Sequence, residues 1–216
     1  MWLLRPPGVY RPQGDTHLLA RAQADAGIPP GGAVLDIGCG TGVLSVHAAR
    51  LAPRAMTAVD VSRRAVWAAR VNLAFRGLDV RVLRGDALEL DESFDVVLAN
   101  PPYVPGVAGL PSRGRRRAWD ADIDGRAVLD RLCAAAPRLL TPGGVLLVVQ
   151  SALSDVDKTV CALRSGGLKA AVVARADEPF GPVMRARLNV LRAAGLLARD
   201  QRTEELVVIR GDRPAR

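Results

Sequence analysis

The chain has 216 residues, 49% of them apolar and 24% charged, which supplies a full core and excludes general disorder. Lys+Arg 30 against Asp+Glu 22 leaves a net charge of +8; that surplus favours acidic partners, yet with lysine confined to Lys158 and Lys169 it equally reflects an arginine-rich coding bias. No apolar run approaches the ~20 residues of a membrane span. The opening Met1–Pro7 is too short for a signal-peptide core, and Cys39, Cys133 and Cys161 form no CxxC pair, which argues against a disulfide framework or a zinc knuckle. The expectation is a soluble cytoplasmic globular protein with no membrane contact.

Along the chain, the spacing predicts a first helix over Asp15–Ala26, stopped by Gly27 and Pro29-Pro30. Ala33–Ile37 reads as a buried strand running into Gly38-Cys39-Gly40-Thr41-Gly42, with a helix over Val43–Leu51 behind it. Met56–Val61 is the second strand. Ser62 then caps a helix carrying Val66, Ala69, Arg70 and Leu73, and Gly77 closes it. Val80–Leu83 precedes Gly85-Asp86, and Phe94–Ala99 is apolar apart from Asp95, in character a central parallel strand. That strand stops at Asn100-Pro101-Pro102-Tyr103, and a loop with the basic run Arg113–Arg117 follows.

Asp124 is expected to cap a helix that shows Val128, Leu129, Leu132 and Cys133 on one face. Pro142-Gly143-Gly144 then turns the chain into strand Val145–Gln150. A helix over Ser154–Leu163, a strand over Leu168–Ala174, a helical stretch over Met184–Ala194 and a strand over Glu205–Ile209 complete the series. Alternation of short apolar runs with helical patterns means an α/β fold. Seven strands in a mostly parallel sheet are expected, with helices on both faces and the last strand antiparallel.

Strands one to four each end in a distinctive polar group: Asp36 with the glycine turn, Asp60, Asp86 and Asn100. In an open parallel sheet these ends share one rim, where ligands bind at the switch point of a Rossmann-like arrangement. Glycines at 38, 40 and 42 miss the spacing of a dinucleotide fingerprint, and no Gly-Lys-Ser/Thr follows for a phosphate loop. Asp36 would repel a pyrophosphate but attract an ammonium group. Asp60 stands where a carboxylate accepts ribose hydroxyls, and Asp86 can accept from an adenine amine. Together they describe an adenosine bearing an amino-acid tail.

With these residues the chain resembles the class I S-adenosylmethionine-dependent methyltransferases. The matching segments are Asp36–Gly42, Asp60, Gly85-Asp86-Ala87 and the tetrapeptide Asn100–Tyr103, which narrows the resemblance to enzymes methylating a nitrogen conjugated to a π system. Val9–Leu19, Asp124-Gly125-Arg126 and Glu204–Arg210 are further similar to the short HemK-like glutamine methyltransferases that act on release factors. The chain departs from that family where Arg11 and Gly14 stand, positions that often carry an acid. The resemblance implies S-adenosyl-L-methionine as cofactor, held by Tyr10, Thr16, Asp36, Gly38, Gly40, Asp60, Val61, Asp86, Ala87 and Asn100. It also implies a catalytic set of Asn100, Pro101, Pro102 and Tyr103, and a small zinc-binding activator protein as a partner of the short relatives. Residues 1–30 would be an N-terminal segment and 31–216 the methyltransferase domain, one domain overall.

An amide or adenine nitrogen is a poor nucleophile because its lone pair is delocalised. Acceptors on its hydrogens, the Asn100 side-chain oxygen and the Pro101 carbonyl, would hold it at the methyl group and favour the developing charge. Tyr103 would offer a flat apolar face. His17 and His47 have no partners at metal spacing and read as structural; Trp67 reads as a packing residue, and Trp119 as a loop anchor or part of the substrate mouth. The leading expectation is N5-methylation of glutamine in the Gly-Gly-Gln loop of a release factor. The alternatives are N6-methylation of adenine in rRNA, tRNA or DNA, which the basic run would suit, and an inactive cofactor-binding module.

Overall fold

The computed structural model describes residues 2–104 and 125–215. The arginine run, Trp119 and the expected cap Asp124 lie outside the described residues. Among those described, seven strands form one sheet: β1 Ala33–Ile37, β2 Ala55–Asp60, β3 Arg81–Arg84, β4 Phe94–Ala99, β5 Leu140–Ser151, β6 Lys169–Pro179 and β7 Thr203–Asp212. Their order is β3-β2-β1-β4-β5-β7-β6. The pairings from β3 through β5 are parallel, and β7 runs antiparallel to both β5 and β6.

Among the described residues six α-helices accompany the sheet: α1 Gly14–Asp25, α2 Val43–Ala48, α3 Arg63–Ala74, α4 Ala127–Leu139, α5 Val156–Ser165 and α6 Pro182–Ala193. Strand β1 is buried at every position, and Leu35, Leu98, Leu146 and Leu147 have almost no exposed surface, as central parallel strands covered on both faces require. Helix α1 packs on β5, β6 and β7, whereas α4 and α5 pack on each other. Helix α6 does not cross the sheet. It gathers Phe180, Met184, Leu191 and Leu197 into a separate cluster, so the chain returns beside β6 in the opposite direction.

Several expectations are corrected. Strand β5 begins before the Pro142-Gly143-Gly144 turn: Phe94 faces Leu140 and Val96 faces Val145, so the turn residues form an excursion within the strand. A Cβ on Gly144 would lie 2.9 Å from Thr141 O and 3.0 Å from Phe94 O, which leaves room for glycine alone. Strand β6 extends to Pro179 and has a bulge at Val173. Helix α4 has Arg126 at its N-cap position with no side-chain cap, and α1 starts after Gln13, which makes Asp15 a first-turn residue rather than the cap. Ser62 does cap α3, accepting from Ala65 N. Arg70 is exposed and donates to Val82 O at 2.8 Å, while Trp67 is 54% exposed instead of packed.

The N-terminal segment is strapped to the glycine turn by one buried amide. Asn72 of α3 accepts from Leu4 N at 2.8 Å and donates to Leu4 O and Thr41 O, both at 2.9 Å. Replacing it strands three backbone groups. Asn72→Ala is expected to cost about 2–3 kcal/mol, measurable by urea unfolding at unchanged m-value.

Candidate active site

The four strand ends converge as the topology demands. Between β1 and β4 the strand order reverses, leaving a crevice at the carboxyl edge. A cavity of about 360 Å³ opens there. Tyr10, Thr16, Gly38, Gly40, Asp60, Val61, Asp86, Ala87, Asn100, Pro101, Pro102 and Tyr103 all line it. Asp36 does not: it is fully buried beneath the glycine turn.

Gly38, Gly40 and Gly42 have φ of +67°, +56° and +80°, the left-handed region where glycine is least strained. Four of the turn's five amides are already spent. Gly38 N and Cys39 N donate to Val59 O at 2.8 and 3.1 Å, Gly42 N to Cys39 O at 2.7 Å, and Gly40 N to Asp60 Oδ2 at 3.0 Å. A phosphate cradle needs several such N–H groups free together, and with four of five taken this turn shapes the wall more than it offers a phosphate site. The Cys39 thiol is buried, and burial pushes its pKa well up, which fits the reading of a small residue packed into the turn.

Asp36 anchors α2. Its Oδ2 accepts from Ser45 N at 3.0 Å and from Ser45 Oγ at 2.6 Å, whereas Oδ1 has no partner among the described residues. Burial raises its pKa to about 6 against the two Ser45 hydrogen bonds, with a smaller upward push from Asp60. Asp60 accepts from Gly40 N and from Ser62 N at 2.8 Å, one donor per oxygen, and keeps lone pairs for hydroxyl donors. Burial also raises its pKa. Asp86 accepts from Leu88 N at 3.0 Å and pairs with Arg131 at 2.6 Å, so an adenine amine would share this carboxylate with an arginine.

The acceptor side is organised by a residue that the sequence reading passed over. Asp15 is buried, and its Oδ2 accepts from Tyr10 OH at 2.6 Å and Tyr103 OH at 3.0 Å. Its Oδ1 accepts from Thr16 N and Thr16 Oγ1 at 2.5 and 3.1 Å. Since a carboxylate only accepts, the Thr16 hydroxyl must spend its proton on Asp15, and its lone pair then takes Asn100 Nδ2 at 3.2 Å. The Asn100 amide is thereby fixed with Oδ1 left for another donor. Burial, then the Asp15 charge, raises the pKa of both tyrosines. Behind the tetrapeptide, Ser154 Oγ donates to Tyr103 O and the buried Arg126 donates to Ser154 O and Thr159 Oγ1, the latter at 3.0 Å.

Two further carboxylates stand here. Glu178 of β6 fills the space that a Cβ on residue 14 would need, which puts an acid beside Gly14 from another strand. Glu204 of β7 lines the cavity. Glu178 was not recognisable from local sequence; Glu204 opens the Glu204–Arg210 segment that resembles the HemK-like family, and an acid at an inward position of an alternating strand is the signal that marks it as a site residue. Among the described lining residues, Asp15, Asp60, Asp86 and Glu204 face a single cationic side chain, Arg131. An acidic wall with no free N–H cradle fits a cationic sulfonium nucleoside such as S-adenosylmethionine and opposes a phosphorylated one. The Ser45 hydroxyl predicts its own test: in Ser45→Ala the Asp36 carboxyl should titrate above its present value of about 6, read by carboxyl-selective NMR.

Residues 3–114 match the methyltransferase small domain family. The chain is 33% identical over 180 residues to a Methanocaldococcus jannaschii protein provisionally named a protein N5-glutamine methyltransferase, covering 82% of this chain and 90% of that one. It is 32% identical over 180 residues to the release factor glutamine methyltransferase of Bordetella pertussis, covering 78% of this chain and 66% of the bacterial protein. The Mtq2 structure from the E. cuniculi Mtq2-Trm112 complex, responsible for methylating the eRF1 termination factor, superposes with a TM-score of 0.67 at 22% identity over 95% of this chain and 99% of that one. Spent turn amides, an acidic rim and this kinship agree. The chain belongs to the methyltransferase small domain family and is a class I S-adenosylmethionine-dependent methyltransferase of the HemK-like kind.

Proposed function

We propose that this methyltransferase acts on the side-chain amide nitrogen of a glutamine, presented on the Gly-Gly-Gln loop of a translation release factor. The observation that carries the reading is the fixed Asn100 amide, whose Oδ1 faces no donor among the described residues while Thr16 holds its nitrogen. Two relatives named for glutamine methylation support it. S-adenosylmethionine, when bound, supplies an electrophilic methyl group on a positively charged sulfur.

The chain's own residues would do the rest. Asn100 Oδ1 and the Pro101 carbonyl accept the two hydrogens of the glutamine amide, which orients its lone pair and favours the positive charge that develops on nitrogen. Tyr103, with its hydroxyl tied to Asp15, presents its ring as an apolar wall for the flat amide. No strong base precedes the transfer, because the nitrogen becomes acidic only as it is methylated. Asp60 binds the ribose hydroxyls, and Asp36 adds negative charge beneath the turn for the cofactor's ammonium group. Residues 1–30 form a segment that contributes Tyr10 and Thr16 to the domain over 31–216.

The reading includes an activating partner, since the E. cuniculi structure is of a two-protein complex. Labelled-methyl transfer, run with and without a Trm112-type protein, should mark release factor and leave ribosomal RNA, transfer RNA and DNA unmarked. Mass spectrometry should find N5-methylglutamine; N6-methyladenine alone would overturn the reading. Asn100→Ala should lower turnover by about two to three orders of magnitude with cofactor affinity nearly intact, by analogy with loss of one preorganised polar group.

A further inference from the structure

Strand β7 alternates as an antiparallel strand must: Thr203 is exposed, Glu204 turns inward, Glu205 turns outward to Arg175 at 2.8 Å, and Leu206 is buried. Glu204 is thus carried into the interior where the sheet ends and the cavity begins. It is 6% exposed, and it lines the cavity together with Tyr103, Gly181 and Met184. Its Oε2 has no hydrogen-bond partner among the described residues.

A buried acceptor without a partner weakens a fold, so its position on a cavity wall points to a ligand that supplies the missing donor. The cofactor is not that ligand. Its adenosine and ammonium groups are expected at Asp60, Asp86 and Asp36, at the ends of β1 to β3, while β7 stands beyond β4 and β5 on the other side of the crevice. The expected contacts nearer to Glu204, Tyr10 and Thr16, already spend their hydroxyl protons on Asp15. The occupant is therefore the methyl acceptor. Glu204 shares this side with Asp15 and Glu178, whose charges, after burial itself, raise its pKa to about 7 against a hydrogen bond from Ser151; its own charge reaches Tyr10 and Tyr103. Three carboxylates repel a phosphodiester backbone and attract N–H donors. A peptide offers such donors at every residue except proline.

We propose that Glu204 Oε2 accepts a hydrogen bond from a backbone N–H of the acceptor peptide, which makes Glu204 an acceptor-binding residue. This inference rests on the peptide reading of the function. Glu204 then sets how deeply the glutamine side chain reaches toward Asn100, because one main-chain contact fixes the register of an extended loop.

The test compares wild type, Glu204→Leu and Glu204→Gln on release factor, with three readouts. Glu204→Leu should raise KM for the release factor about tenfold or more, as loss of a charge-assisted hydrogen bond does. Glu204→Gln, which keeps an acceptor of the same shape, should fall between it and wild type. The S-adenosylmethionine Kd should stay within about twofold in both. Glu204→Leu should also melt no lower than Ser151→Ala, which removes the same Ser151 hydrogen bond, because Oε2 itself is an unpartnered polar atom in the interior. Glutamine methylation with an unchanged KM in Glu204→Leu would overturn this inference and leave the proposed function standing. A wild-type enzyme that methylates only nucleic acid would overturn both. Melting of Glu204→Leu well below Ser151→Ala would show that Oε2 is satisfied within the protein and would overturn the inference whatever the acceptor.

Discussion

The carboxylate of Asp15 receives four donors at once: the hydroxyls of Tyr10, Tyr103 and Thr16 and the backbone N–H of Thr16. Those donors come from the N-terminal segment, from α1 and from the tetrapeptide after β4. One buried anion thereby joins three parts of the chain, and each donor offsets part of the desolvation of that charge. The consequence reaches the chemistry through polarity alone. An acceptor-only group forces the Thr16 proton toward itself, leaves the Thr16 lone pair for Asn100 Nδ2, and so leaves Asn100 Oδ1 for the substrate.

The cavity is divided by the sheet's own topology. On the β1–β3 side four of the five amides of the glycine turn are taken and the polar groups are carboxylates, with Arg131 paired to Asp86, so the ligand held there brings hydroxyls and positive charge. On the β4–β7 side Asn100 and Glu204 offer oxygen, and Asp15 and Glu178 reinforce the negative potential. Both halves therefore select donors and cations. A formal charge of +8 on the whole chain does not describe this local field, which is set by the few side chains that share the low-dielectric crevice.

Much of the parallel half was legible in the sequence because its signals are local. Ala33–Ile37 is buried at every position, and Phe94–Ala99 at every position but Asp95; the first carries Asp36 near its end and the second runs into Asn100. The antiparallel half was read short. Strand β6 alternates charged and small residues, Lys169, Arg175, Asp177 and Glu178 among them, so an edge strand with one wet face looked like loop beyond Ala174. Trp67 misled by its type: large and apolar at helical spacing, it nonetheless lies on the outer face of α3. The acid at Gly14 was missed for a different reason. Its place is filled by Glu178, and only the pairing of β6 with β7 brings that side chain to the start of α1. Thr16 was expected beside the cofactor; it does line the cavity, but its hydroxyl is engaged by Asp15 and Asn100 instead.

Thr16 therefore offers the most direct test, through steady-state kinetics and cofactor calorimetry on Thr16→Val, with Thr16→Ser as the control. Valine keeps the shape and removes the hydroxyl, so the Asn100 amide loses its fixed orientation. Turnover should fall about tenfold or more while the S-adenosylmethionine Kd stays within about twofold of wild type, and serine should restore most of the rate. Unchanged turnover at saturating cofactor, with the loss confined to cofactor affinity, would contradict the account and return Thr16 to the cofactor alone.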